Sequence, residues 1–467
     1  MKRIKNLLLA LLILPALFLL GGCGEDEEVT TPTATPLTAE IVSLSYTETV
    51  FDGTEKKPTV TVVIGEYTVP NSEYEVVYSN NINAGTASVK VSAVATSTVV
   101  SGEVTKNFTI SKTTAVVDNL EALKSIANSG NYTKVTVNAN IEIESGDSLT
   151  IPTGVEVVLN NVTLTNNGSL YNNGVITAKV ANRVQFLSAV EVANHIVLTA
   201  DIEPEGADDD INIDARHRDY NFSVDLVGHK IEAELNFRTW GRQNSNNSED
   251  PLVYFNHSIN VSITSSSSQK GVIGRTDASA SYYGMMINGT DDININLNNI
   301  ILKGYYCGLY TNGSIAGGGS IEAYNCSFET GVDDVGAYLA TNHTYRFTNC
   351  TFSSYTAYYA KSGTHYLNNC NFLGTGEHVA PKYNGSGANA TGSAIVIDSC
   401  VGDYEQNLRV EINGGTISST NGYGIEECST AANGVELINY STIIFTNQPT
   451  YVNCPLGNVL FNEVAKN

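Results

Sequence analysis

Positive charge is scarce in this chain: 25 lysines and arginines stand against 48 aspartates and glutamates, a formal charge of −23 over 467 residues. A phosphate backbone is held by clustered cations, so this balance argues against a nucleic-acid partner. Charge of either sign is also low, at 16%, beside a hydrophobic share of 42%. That composition belongs to neither a disordered nor a membrane-embedded protein. Tryptophan occurs once and methionine three times, while glycine occurs 40 times. Such usage suits an extracellular protein of many short strands and turns, and does not suit a helical enzyme. No Cys-x-x-Cys pair and no histidine at zinc-finger spacing is present, which removes the common structural zinc sites.

What is present begins with an address. Lys2, Arg3 and Lys5 precede an apolar run from Leu7 to Leu20. The run is too short to span a bilayer comfortably and reads as a signal peptide. Leu20-Gly21-Gly22-Cys23 follows it and resembles the lipobox of bacterial lipoproteins. The resemblance implies cleavage before Cys23, lipidation of Cys23, and anchoring to the outer membrane or cell surface with the chain facing outward. Gly24-Glu25-Asp26-Glu27-Glu28 is similar to the acidic export signal of surface lipoproteins in Bacteroidota; a solvated acidic spacer explains the same residues. Thr30 to Thr38, rich in Thr and Pro, reads as an extended tether. The organisation expected is a signal peptide at 1–22, a tether at 23–40, a small β domain at 41–113 and a longer repeat at 114–463.

Residues 41–113 alternate with period two in short runs such as Val60-Thr61-Val62-Val63 and Ala87-Ser88-Val89-Lys90-Val91, separated by turn-formers such as Phe51-Asp52-Gly53-Thr54. The pattern predicts a small antiparallel sandwich. The stretch from Tyr74 to Val89, with Gly102 and the ending Thr105-Lys106-Asn107-Phe108-Thr109-Ile110, resembles the bacterial Ig-like surface repeat, whose modules act mostly as spacers.

The remainder repeats. Cys350 and Cys370 stand 20 apart, as do Phe352 and Phe372, and Ala340 and Ala360. Thr348-Asn349-Cys350-Thr351-Phe352 aligns with Asn368-Asn369-Cys370-Asn371-Phe372. Tyr324-Asn325-Cys326-Ser327-Phe328 precedes them, as does Asn298-Asn299-Ile300-Ile301-Leu302 with an aliphatic residue in the Cys position, and Asp398-Ser399-Cys400 extends the series. A period of 20 to 30 with insertions between fixed apolar positions predicts stacked coils whose like residues lie on like. Two helix-like stretches, Leu120 to Ala127 and Phe186 to Ala193, are placed to cover open ends of such a stack, the second suggesting a subdivision near residue 183. The region resembles the right-handed parallel β-helix proteins of the pectate-lyase-like superfamily. The fold class expected is therefore all-β, an Ig-like sandwich followed by a right-handed parallel β-helix.

With Cys23 lipidated, seven cysteines remain, an odd number. Cys326, Cys350 and Cys370 read as a buried thiol ladder of small hydrophobes, since stacked neighbours point the wrong way for a disulfide.

The superfamily resemblance implies two chemistries to look for: proton abstraction by Lys or Arg beside carboxylate-held calcium, and hydrolysis by clustered carboxylates. The hydrolase signatures Asn-Thr-Asp and Gly-His-Gly are missing, and so is the lyase motif Arg-x-Pro-x-x-Arg. Asp333-Asp334 offers paired carboxylates, although a turn between coils explains it. Asp208, Asp209, Asp210 and Asp214 with Arg216, His217 and Arg218 form the densest polar cluster, a candidate for calcium-plus-arginine chemistry or for plain surface loops. Trp240, Tyr306, Tyr338 and Tyr358 are candidate sugar-stacking residues, with Tyr338 and Tyr358 expected at equivalent positions. The favoured function is noncatalytic binding of a glycan or of a host or neighbouring cell surface. The alternatives are a polysaccharide lyase or glycoside hydrolase, and a structural role in the envelope.

Overall fold

The computed structural model describes residues 33–206, 210–214, 221–238, 259–277, 283–288, 293–312, 319–331, 334–382, 389–398, 408–428 and 441–460. The chain divides into two compact units, Met1–Ser111 and Lys112–Asn467. Among the described residues no helix is long and apolar enough to cross a membrane.

In the first unit the period-two runs become strands. A four-stranded sheet takes the order Glu48–Val50, Glu103–Ser111, Gly85–Ala93, Tyr74–Ser79. The last three strands pair antiparallel and Glu48–Val50 joins parallel to Glu103–Ser111. A second, antiparallel sheet holds Val42–Leu44, Val60–Ile64 and Tyr67–Thr68. Alternate residues of both sheets, among them Val62, Val89, Val91 and Phe108, share one apolar core, as a half-buried strand requires.

The second unit is built of parallel strands. A long sheet of 13 strands runs from Thr113–Val117 to Thr442–Asn447, a second of eight from Lys230–Ile231 to Thr450–Tyr451, and a third of nine from Asp210–Asp214 to Gly457–Leu460. From residue 319 the chain visits them in rotation: Gly319–Tyr324 in the long sheet, Ser327–Thr330 in the second, Val335–Leu339 in the third, then Thr344–Thr348 back in the long sheet. One strand per face per coil fits a parallel β-helix.

The corner between the long and second sheets explains the Asn-Cys repeat. Asn299, Asn325, Asn349 and Asn369 all take left-handed backbone, with φ between 50° and 58°, a conformation Asn tolerates better than other side-chain-bearing residues. The turned chain drives the next residue inward, so Ile300, Cys326, Cys350 and Cys370 are buried. Two positions further on, Phe328, Phe352 and Phe372 stack with centroids 4.5 and 5.0 Å apart. The next coil replaces Asn-Cys by Gly414-Gly415, both with positive φ, and a Cβ on Gly415 would lie 2.1 Å from the Cys370 carbonyl oxygen. Asp398 therefore does not extend the ladder. It follows Ile395–Ile397, a strand of the third sheet, and Ser399-Cys400 lies outside the described residues.

Two helices close parts of the stack. α1 (Leu120–Ala127) is capped by Asn119, whose side chain accepts from the Ala122 amide, and buries Leu123 and Ala127 over the first coil. α2 (Arg183–Val192) covers the edge strand Leu164–Asn166, where the Ser188 hydroxyl bonds both the amide and the carbonyl of Leu164. The long sheet runs on past residue 183, whereas the other two faces are short two-stranded sheets before α2 and the eight- and nine-stranded sheets after it.

Candidate functional site

Two outer faces of the second unit carry chemistry. On the long sheet, Glu322, Arg346 and Tyr366 are in-register neighbours on successive strands. Strand alternation turns all three outward. Arg346 Nε lies 3.6 Å from Glu322 Oε1, and its guanidinium sits 4.3 Å over the Tyr366 ring. Beside them Tyr324 is 53% exposed. The groove between has a volume of about 400 Å³ and is lined further by Ser262, Thr264, Asn296, Asn298, Thr348 and Asn368. It is an open channel of amides and hydroxyls with aromatic surface and one cation, a surface suited to sugar rings.

The outer face of the third sheet is covered and more highly charged. Tyr283, Tyr310, Tyr338 and Tyr359 form a continuous stack with centroids 4.4, 5.2 and 5.0 Å apart. Tyr359 donates to Asp398 Oδ2 at 2.5 Å, and Lys361 Nζ donates to the Tyr338 hydroxyl at 3.1 Å. Lys361, Asp398 and Tyr359 are fully buried; burial, then Asp398, pushes the Tyr359 phenol well up. Nearby Glu426, also fully buried, accepts from Thr391 and Ser393 at 2.6 Å each and meets His378 Nε2 at 3.1 Å. These contacts pin the segment that follows Glu377 to the sheet. At the other edge, burial raises the Asp334 carboxyl to about 6, against one backbone hydrogen bond that lowers it.

The residues picked out from sequence scatter over these faces. Tyr338 lies in the tyrosine stack, half-buried between Tyr310 and Tyr359. Tyr358 does not share its fate. Tyr338 pairs with Tyr359 and Ala337 with Tyr358, and Leu339, rather than Ala340, opposes Ala360. The corner after Leu339 is one residue longer than the corner after Ala360, because Thr344 realigns with Thr364. Tyr358 consequently points into the core, edge-on to Phe352 and Phe372, with its hydroxyl 2.6 Å from His365 Nδ1. It offers no surface to a ligand. Tyr306 is exposed and packs edge-on to Tyr305. Asp334 is half-buried. Asp210 is exposed and opens the strand that ends at Asp214. Asp208, Asp209, Arg216, His217, Arg218, Trp240, Asp333 and Cys23 lie outside the described residues. Among the described residues no group of three His, Cys, Asp or Glu side chains is placed to hold a metal ion.

Sequence reasoning missed Lys361, Asp398, Glu426, Arg346 and Tyr324. Their partners come from other coils, and only Arg346 and Tyr366 retain the 20-residue spacing that would have paired them. Comparison with protein families, curated proteins and solved structures yields no match to this chain.

Proposed function

We propose that this protein is a lipid-anchored, outward-facing surface protein that binds glycan chains without cleaving them, on a right-handed parallel β-helix carried by an Ig-like spacer. The lipobox-like Leu20-Gly21-Gly22-Cys23 supports the membrane anchor. The observation that carries the binding is the open groove of the long sheet, where Tyr324 is exposed beside an arginine whose guanidinium sits 4.3 Å over the Tyr366 ring. Exposed rings give apolar contact to sugar faces, and the flanking amides match hydroxyls. The test is a panel of neutral and acidic polysaccharides, with and without calcium. Binding with no new reducing ends and no unsaturated products is expected, and Tyr324→Ala should weaken it. Turnover of any glycan in the panel would overturn this reading.

A second reading, a glycan-cleaving enzyme, is favoured by one observation: the Asp334 carboxyl, raised to about 6 by burial, is tuned as general acids are. Turnover lost in Asp334→Asn would establish it.

A further inference from the structure

The groove of the long sheet is ordered in two rows. Ser262, Asn296, Glu322 and Arg346 are register partners in one; Thr264, Asn298, Tyr324, Thr348 and Asn368 are register partners in the other. On each strand the rows stand two residues apart, about 7 Å, and from strand to strand they repeat at about 4.8 Å. The groove therefore runs along the axis of the stack for about 19 Å, with Tyr324 on the middle one of five strands. Hydrogen-bonding groups beside the groove are spent on each other. Asn294 Nδ2 donates to Asn260 Oδ1 at 3.1 Å and Ser320 Oγ to Asn294 Oδ1 at 2.9 Å, while Asn325 and Asn369 bond Asn299 and Asn349 at the corner. Inside the groove the side chains of Ser262, Thr264, Asn296, Asn298 and Thr348 make no hydrogen bond among the described residues. Arg346 is engaged by Glu322 and Tyr366, so the rows together carry no net charge. The chain as a whole, at −23, repels a polyanion.

We propose that the ligand of this groove is a neutral, linear, extended glycan laid along the stack axis at about one sugar per coil. The inference rests on the glycan-binding reading of the groove and narrows it to a substrate class. A pyranose chain linked equatorially at both ends, as in β-1,4-glucan, β-1,4-xylan or β-1,4-mannan, is extended and advances by one ring per sugar, close to the strand spacing. Each coil then meets a fresh sugar with the same pair of positions, and the unspent amides and hydroxyls match its hydroxyl groups. The Tyr324 ring gives apolar contact to a sugar face at the centre of the channel. An axial linkage coils the chain, which then leaves a straight channel after a sugar or two. A uronate chain brings one carboxylate per sugar, and Arg346 is the single cation among the lining residues.

The test is titration calorimetry of the full chain with oligosaccharides from disaccharide to hexasaccharide. The extended neutral series are β-1,4-linked glucose, xylose and mannose; β-1,4-linked mannuronate is the extended acidic series, and α-1,4-linked glucose the coiled neutral one. Affinity for at least one extended neutral series should rise several-fold with each added sugar and level off near the pentasaccharide, with the coiled and acidic series at least about tenfold weaker. Asn298→Ala and Thr348→Val remove unspent groups on either side of Tyr324 without touching the flanking ladders. Each should lower pentasaccharide affinity several-fold and leave the thermal midpoint unchanged. Tightest binding of the coiled or acidic series, or equal affinity for disaccharide and hexasaccharide, overturns the proposal while glycan binding itself stands. Length-dependent binding that both variants leave intact also overturns it, because the ligand then lies elsewhere. Binding of none of the series overturns this inference and the glycan reading together.

Discussion

The side-chain amide of Asn369 donates to the side-chain oxygen of Asn349, one coil away, at 2.8 Å, and both residues hold left-handed backbone. Asn325 makes the same bond to Asn299 at 3.1 Å. Each asparagine thus does two things: it turns the chain from the long sheet into the second, and it links its coil to the next. The turn delivers the thiols and rings that fill the interior; the amide ladder closes the polar edge over them.

The two roles separate by substitution. Asn369→Gly keeps the left-handed turn and loses the ladder bond, and should cost under about 1 kcal/mol. Asn369→Ala loses both and should cost about 1–2 kcal/mol. Urea denaturation midpoints of the two variants decide it; equal losses would mean the backbone conformation carries no weight.

Thiol reactivity should follow burial. Cys326 pulls the Cys350 thiol down, but its Cys370 neighbour and burial outweigh that and hold it at about 12. Cys326, Cys350 and Cys370 are buried while Cys454 is partly exposed. Iodoacetamide at pH 8 should leave the three buried thiols unmodified in the folded protein and react with Cys454 first, since the thiolate is the nucleophile. Peptide masses read the outcome, and early labelling of Cys350 would contradict the ladder.

Two groups give stability opposite pH dependences. His365 is fully buried; it accepts from the Tyr358 hydroxyl at Nδ1 and donates to the Ser362 carbonyl from Nε2, a neutral tautomer, and burial lowers it to about 4 against the Ser362 bond. The unfolded chain takes up that proton near 6.5, so stability falls as pH drops from about 6.5 to 4, by on the order of 3 kcal/mol. Asp334 runs the other way. Its raised value means stability is present below the unfolded value of 3.8 and is lost as pH climbs through about 6, by on the order of 2 kcal/mol. Urea midpoints from pH 4 to 8 should flatten on the acid side in His365→Gln and gain above pH 6 in Asp334→Asn. Unchanged profiles would refute the assignments.

In the groove, Arg346→Lys keeps the charge but replaces the planar guanidinium over Tyr366 with a compact, strongly hydrated ammonium. Glycan affinity should fall several-fold, in line with a contact of about 1 kcal/mol. Tyr324→Ala should cost about five- to tenfold, and Tyr306→Ala, on a different face, should change nothing. Titration calorimetry measures all three; a loss confined to Tyr306→Ala would move the site.

The stack was legible in the sequence because parallel in-register strands place like residues on like, so Cys350 over Cys370 and Phe352 over Phe372 appear as spacing. The same counting misplaced Tyr358. A corner one residue shorter shifts the third sheet against the long one, and with a side-chain period of two a single-residue shift turns a ring from the surface to the core.

By itself, then, the amino-acid order determined that this chain coils, which residues turn each corner between the long and second sheets, and which apolar groups fill the coil. Those follow from local backbone preference and from repetition. The meeting of Lys361 with Tyr338 and of Asp398 with Tyr359, of Glu426 with Ser393 and His378, and the exposure of Tyr324 beside Arg346 were decided by tertiary structure alone. Corner lengths and insertions such as that between Glu377 and Ile395 set which strand neighbours lie side by side, and no short-range pattern records their sum.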